Sequence, residues 1–87
     1  MDVLLVDDHP EVRTSLCEFL EQFGHRGLQA GSGQEALRAV REHRPGLVLS
    51  DLRMPGMSGL DLLSALEELD QPPPFALMTA FGDADTA

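Results

Sequence analysis

Short segments of strand character alternate with segments of helical periodicity along this chain, and that alternation limits its fold more than any other feature. The strand-like segments lie at residues 3–6, 26–30, 47–49 and 75–79. Strands that alternate with helices form βαβ units and a parallel sheet. The continuous apolar run Val3–Val6 is typical of a strand covered on both faces. The sequence therefore predicts an α/β fold with the order β-α-β-α-β-α-β.

Local signals predict where the helices begin and end. Pro10 suits the first turn of the first helix, where its missing N–H costs nothing, and Gly24 supplies a stop. Ser32 and Glu35 fit a capping box at the second helix, and Ser58 fits a cap at the third. Apolar residues at helical spacing predict the buried faces: Val12, Leu16, Phe19, Leu20 and Phe23, then Ala36, Leu37 and Val40, then Leu60, Leu63, Leu66 and Leu69.

Composition narrows the class of protein. With 87 residues, one domain is expected. The net charge of -9 argues against direct nucleic-acid binding, which requires a basic face. No apolar run approaches the roughly 20 residues of a membrane helix, and the acidic start lacks the basic region of a signal peptide. Cys17 stands alone, so no internal disulfide is possible and a cytoplasmic location is expected.

Acidic residues follow two of the predicted strands. Asp7 and Asp8 come directly after the first strand, and Asp51 ends the third. Ligands of doubly wound sheets bind outside the carboxyl ends of the strands. If the first and third strands are neighbours, the three carboxylates converge, and their like charges oppose ionisation. A divalent cation removes that penalty, and an oxygen site with few protein ligands suits Mg²⁺.

Three blocks of the sequence resemble the receiver domains of two-component response regulators. They read LLVDDHPEVR, LVLSDLRMPGMSGLDLL and ALMTAFGD, and they cover nearly the whole chain in the usual order and at the usual separations. The resemblance implies a flavodoxin-like, doubly wound parallel sheet with strand order 2-1-3-4. It also implies a single receiver domain spanning residues 1–87.

The resemblance assigns a role to each residue of the acidic site. Asp51 matches the aspartate that a sensor histidine kinase phosphorylates. Asp8 is similar to the direct Mg²⁺ ligand, and Asp7 beside it acts largely through water. The backbone carbonyl of Arg53 matches the third protein ligand. The metal site implied for this chain is thus built from these four residues, with Mg²⁺ as the cofactor.

Two further residues match the part of the family pattern that senses phosphorylation. Thr79 matches the hydroxyl that bonds the phosphoryl group and shifts inward on activation. Ala80 matches the small residue that leaves the aspartate accessible. The implied function is a signal-transduction phosphoacceptor, not a turnover enzyme, that switches an output domain or partner such as a transcription regulator.

Other functions remain open from the sequence. A degenerate receiver that binds a partner as a scaffold, without phosphorylation, is the first alternative. A Mg²⁺-dependent phosphatase with an aspartyl intermediate is a weaker one, because that pattern needs Asp-x-Asp and residues 51–53 read DLR.

Each site residue also has a purely structural interpretation. Asp7 and Asp8 could form a solvated turn with a helix cap, and Asp51 could cap a strand end. Thr79 is an ordinary strand residue. His9 invites assignment as a metal ligand, but its position favours a solvated helix start.

The sequence departs from the family pattern at its C-terminal end. Receiver domains ordinarily have five strands and five helices, whereas this sequence stops where the fourth helix should begin. It is therefore expected to be truncated, without the fifth strand, the last helices, the switch aromatic and the family lysine; none of its 87 residues is lysine. An exposed edge on the fourth strand would favour a homo-oligomer or a swapped dimer.

Overall fold

The computed structural model describes residues 1–78 as four strands and three helices that alternate along the chain. The elements are β1 (Asp2–Val6), α1 (Pro10–Glu21), β2 (Arg26–Ala30), α2 (Gly33–His43), β3 (Leu47–Asp51), α3 (Gly59–Glu67) and β4 (Phe75–Met78). The strands form one parallel sheet with the order β2-β1-β3-β4. The predicted α/β fold and strand order are therefore confirmed.

The sheet separates two apolar clusters, because alternate residues of each strand point to opposite faces. The larger cluster lies under α2 and α3 and contains Leu4, Val6, Ala30, Ala36, Val40, Val48, Met54, Leu62 and Leu66. The smaller cluster lies under α1 and contains Val3, Leu5 and Cys17. Every residue of the run from Val3 to Val6 is buried, as the continuous apolar pattern predicted.

Side-chain caps begin α2 and α3. The Ser58 hydroxyl accepts a hydrogen bond from the Asp61 N–H (3.1 Å), and the Asp61 carboxylate accepts one from the Ser58 N–H (3.0 Å), which completes a capping box. Ser32 caps α2 by accepting from the Glu35 N–H (3.2 Å). The predicted return bond is wrong by one residue, because the Glu35 carboxylate accepts from the Gly31 N–H instead (2.9 Å).

The buried face of α1 is narrower than the apolar pattern predicted. Phe19 and Phe23 are 56% and 64% exposed, and their rings contact each other with centroids 5.1 Å apart. The only buried residue of the helix is Cys17, which sits directly over Gly27 of β2. A Cβ at Gly27 would come within 2.5 Å of the Cys17 sulfur, so the glycine allows this close approach. Burial also raises the pKa of the Cys17 thiol.

The predicted stripe on α3 is wrong in part. Leu62 and Leu66 are buried, whereas Leu60 is 53% exposed and Leu63 and Leu69 are only half-buried. Leucines occupy several faces of this short helix, so spacing alone allows more than one choice of buried stripe. The helix presents to α2 and the sheet the face that carries Leu62 and Leu66, and Gly59 at its start packs closely against the backbone at the end of β3.

Within residues 1–78, β4 pairs with β3 alone and its other edge lies at the end of the sheet. The predicted strand extended to Thr79, which lies outside the described residues. An oligomer formed through this edge stays a prediction. Among the helices of the described part of the chain, none combines the length and apolar character needed to span a membrane.

The end of α2 has a left-handed backbone at a residue other than glycine. Arg44 has φ 47° and ψ 62°, and its N–H donates to the Val40 carbonyl (2.9 Å). No other non-glycine residue of the described chain has a positive φ. This conformation costs an L-residue roughly 1–2 kcal/mol, and Pro45 follows it directly, which prevents continuation of the helix.

Replacing Arg44 by glycine is expected to stabilise the protein. Arg44→Gly removes the left-handed strain but adds freedom to the unfolded chain, so the free energy of unfolding should rise by about 0.5–1 kcal/mol. Arg41→Gly, one turn earlier inside α2, is the matched control and should lower it by about 1 kcal/mol. Urea unfolding followed by circular dichroism measures both. Equal destabilisation by the two substitutions would contradict this account of Arg44.

Candidate functional site

The turn between β1 and α1 holds its acidic residues through a fixed backbone. The Asp7 N–H donates to the Ala30 carbonyl at the end of β2 (3.1 Å). The Arg13 guanidinium donates to the Asp7 carbonyl (2.7 Å), and its Nε donates to the Gln29 side chain (3.2 Å). The peptide groups on both sides of the Asp7 Cα are therefore bonded, which restricts where its side chain can point.

His9 contacts both members of the acidic pair. Asp7 Oδ1 accepts from the His9 N–H (2.9 Å), and His9 Nδ1 lies 3.0 Å from the same oxygen and 3.2 Å from Asp8 Oδ1. The hydrogen bond to Asp7, followed by the charge of Asp8, raises the pKa of His9. His9 is the exposed N-cap residue of α1, so the predicted solvated helix start is confirmed.

Sequence reasoning missed the contact of His9 with the acids. The available signal was the aspartate two residues before it. Aspartate side chains often accept a hydrogen bond from the backbone two residues on, as Asp7 does here.

One carboxylate oxygen of the acidic pair is buried and lacks a hydrogen bond within residues 1–78. Asp8 Oδ1 is buried and accepts no hydrogen bond from the described residues. His9 Nδ1 is nearby, but its hydrogen bond goes to Asp7. A buried carboxylate oxygen that accepts no hydrogen bond is unfavourable by roughly 1–3 kcal/mol, and the contact with the exposed His9 ring offsets that only in part. A cation at this position would satisfy the oxygen, so the site fits a metal better than it fits a metal-free turn.

Asp51 reaches the same edge of the sheet from β3. Val6 of β1 pairs with Ser50 of β3, so the residues that follow each of them emerge side by side. The Ser50 side chain is fully buried, and its hydroxyl donates to the Asp51 carbonyl (3.0 Å). The Arg53 N–H donates to Asp51 Oδ1 (3.3 Å) and orients that carboxylate.

The three predicted carboxylates converge. Ligand atoms of Asp7, Asp8, His9 and Asp51 all lie within 4.8 Å of one another. Asp7 is 5% exposed, Asp8 and Asp51 are half-buried, and His9 is open to solvent. Three carboxylates in a partly enclosed space form the oxygen-rich donor set that hard divalent cations bind.

The other predicted site residues are Arg53, Thr79 and Ala80. Arg53 lies in the loop after β3 and is exposed; a role for its carbonyl as a metal ligand stays a prediction. Thr79 and Ala80 lie outside the described residues, so their predicted roles in sensing the phosphoryl group also stay predictions.

The family model of the response regulator receiver domain matches residues 3–87. The chain belongs to this family. The acidic cluster at the carboxyl ends of β1 and β3 thus lies in a receiver domain.

Curated relatives agree with this assignment. The chain is 49% identical over 71 residues to the transcriptional activator protein ExaE of Pseudomonas putida, with 78% of this chain and 33% of the relative covered. It is 37% identical over 83 residues to sporulation initiation phosphotransferase F of Bacillus subtilis, with 95% and 67% covered. The chain thus spans about a third of the first relative and about two thirds of the second.

Solved structures confirm the flavodoxin-like receiver fold. A response regulator receiver domain protein of Clostridium thermocellum superposes with a TM-score of 0.86 at 30% identity, covering 99% of this chain and 70% of that one. The response regulator TrrA of Thermotoga maritima, solved in complex with Mg²⁺-BeF, superposes with a TM-score of 0.85 at 32% identity, covering 98% and 74%.

Magnesium is expected to stabilise the receiver domain through Asp8. At ten times its dissociation constant, a ligand of the native state alone adds about 1.4 kcal/mol to the free energy of unfolding. Asp8→Asn should remove most of this gain and should raise the stability of the metal-free protein, because it removes one of three converging negative charges. Glu67→Gln, an exposed acid of α3, is the control and should leave the gain intact. Urea titrations with and without MgCl₂ measure these effects; an undiminished gain in Asp8→Asn would contradict the assignment.

Proposed function

We propose that this receiver domain is a phosphoacceptor that takes a phosphoryl group from a sensor histidine kinase onto Asp51 and switches an output domain or partner. The observation that carries the proposal is the convergence of Asp51 with Asp7 and Asp8, whose ligand atoms lie within 4.8 Å of one another. Carboxylates this close together at the end of a strand can hold a cation, and a cation assists the binding and transfer of a phosphoryl group.

Asp51 is the proposed nucleophile. One of its carboxylate oxygens attacks the phosphorus of a phosphohistidine, in line with the bond that breaks. The new O–P bond gives an acyl phosphate, and the electron pair of the broken N–P bond stays on the imidazole of the kinase. The hydrogen bond from the Arg53 N–H holds the Asp51 carboxylate in one orientation, which favours an in-line approach.

Asp7, Asp8 and Asp51, with the Arg53 carbonyl, are the residues that would hold Mg²⁺. When bound there, the ion supplies positive charge that offsets charge on the transferring oxygens. The buried Asp8 Oδ1, which accepts no hydrogen bond from the described residues, supports this part of the proposal. His9 Nδ1 lies 3.2 Å from that oxygen, so the ring and the ion would share the space beside the acidic pair.

Phosphorylation is the proposed switch. The acyl phosphate carries about 1.5–2 negative charges where the carboxylate carried one, and it brings new acceptor oxygens to Asp51. Thr79, with Ala80 beside it, is proposed to respond by turning its hydroxyl toward those oxygens, which gives a two-state element for the new charge to bias. The domain takes part in its own phosphorylation in this scheme, and it does not turn over a substrate as an enzyme does.

The partners of this cycle follow from the chemistry and from the relatives. A sensor histidine kinase in the cytoplasm would donate the phosphoryl group. The relative ExaE is a transcriptional activator, so transcription regulation is the proposed output. The second candidate function is a scaffold that binds a partner without phosphorylation.

A small phosphodonor separates the two candidates. Incubation of the wild type with acetyl phosphate and Mg²⁺ should add one phosphoryl group, seen as about 80 Da in the intact mass. Asp51→Asn should show no adduct, and Glu67→Gln, a matched exposed acid, should be labelled like the wild type. An unlabelled but folded wild type would favour the scaffold. Equal labelling of Asp51→Asn would place the phosphoryl group elsewhere and refute the assignment of Asp51.

A further inference from the structure

A groove lies at the N-terminal ends of the strands, at the end of the sheet opposite the acidic site. It runs between the end of α2 and the segment that joins α3 to β4, beside the N-terminal ends of β3 and β4. Its volume is about 740 Å³. Val40 and Leu69 contribute apolar side chains to it, and Pro72 and Pro73 form one wall. The groove is separate from the residues to which the proposed function assigns a role.

The charge of the groove is opposite to that of the protein. The whole chain carries -9 with six arginines and no lysine, yet Arg41 and Arg44 both line this one groove. Neither side chain takes part in an ion pair or hydrogen bond with the described residues. Asp70 is the one acid among the lining residues, and it pairs with neither arginine. Two guanidinium groups are thus available to an anion from outside.

The backbone of Arg44 is a second, independent observation. Its left-handed conformation at the end of α2 is one in which glycine or asparagine is the favoured residue. A long cationic side chain at that position is unfavourable for the helix end, but it puts a guanidinium beside the groove. Strain that persists in this way is often associated with a functional site.

We propose that this groove binds an acidic peptide segment of a partner protein. Arg41 and Arg44 would each pair with a carboxylate of the segment, since guanidinium groups match carboxylates in geometry and charge. An apolar side chain between those carboxylates would pack on the half-buried Leu69 and on Pro72 and Pro73, since Val40 is already buried in the core. An inorganic anion would leave the apolar part of a groove this size in contact with water, so the apolar part favours a peptide over a small anion.

The proline wall offers no backbone donor to a carboxylate, which leaves recognition to side chains such as those of Arg41 and Arg44. Residues 72–74 are all proline and carry no backbone N–H. This wall can therefore accept hydrogen bonds or pack against a ligand, but it cannot donate to an anion. The alternative explanation for Arg41 is its position in the last turn of α2, where a cation favours the helix dipole. The experiment must distinguish that role from ligand binding.

The test uses a fluorescein-labelled hexapeptide of alternating glutamate and leucine, with fluorescence anisotropy at low ionic strength as the readout. The wild type should bind it saturably with a dissociation constant below about 1 mM. Arg41→Gln and Arg44→Gly should each weaken binding about fivefold or more. Arg38→Gln removes an exposed arginine of α2 outside the groove and should change the affinity less than about twofold.

Arg44→Gly makes the test decisive, because it is expected to bind less while its fold becomes more stable. Retained or increased resistance to urea would show that lost binding does not reflect unfolding. A glutamine–leucine peptide should not compete, and inorganic phosphate at the same concentration should not displace the probe. Absence of saturable binding, an equal loss in Arg38→Gln, or displacement by phosphate would each overturn the proposal of a peptide site.

Discussion

The pairing of β1 with both β2 and β3 determines most of what this domain can do. Because β1 is central, its side chains are buried on both faces, and its end is surrounded by other strand ends. The Asp7 N–H continues the ladder to Ala30 of β2, while the pair Val6–Ser50 aligns the acidic turn with Asp51 of β3. A shift of one residue in that register would send the carboxylates to opposite faces of the sheet. The acidic site therefore depends on strand pairing more than on any contact between its own side chains.

The acidic site also opposes the folding that creates it. Strand pairing brings three carboxylates together, and one oxygen of Asp8 is buried without a hydrogen bond from the described residues. The contacts of His9 with Asp7 and Asp8 partly offset the repulsion among the carboxylates. The same contacts raise the pKa of His9. An exposed imidazole is a weak counter-charge near neutral pH. A cation of higher charge would therefore stabilise the cluster more than His9 does, which links its geometry to the proposed chemistry.

The sequence predicted the topology and the acidic cluster because both depend on patterns spread over the whole chain. Alternation of strands and helices and the acids at strand ends are such patterns. It failed where several local solutions have similar energy. Leucines on more than one face of α3 left its buried stripe undecided, and Glu35 bonds Gly31 instead of the cap residue itself. The close fit of Cys17 over Gly27 and the exposure of Phe19 depend on tertiary packing that helical spacing does not encode.

The acids of the site and the two arginines of the groove lie at opposite ends of the sheet, and this separation has a consequence for binding. The acids lie at the carboxyl ends of β1 and β3, whereas Arg41 and Arg44 lie beside the N-terminal ends of β3 and β4. A strand of five residues such as β3 spans roughly 17 Å, well beyond a Debye length of about 8 Å at physiological salt. Charge added at Asp51 is therefore largely screened at the groove. A partner held there is therefore expected to stay bound through a phosphorylation cycle.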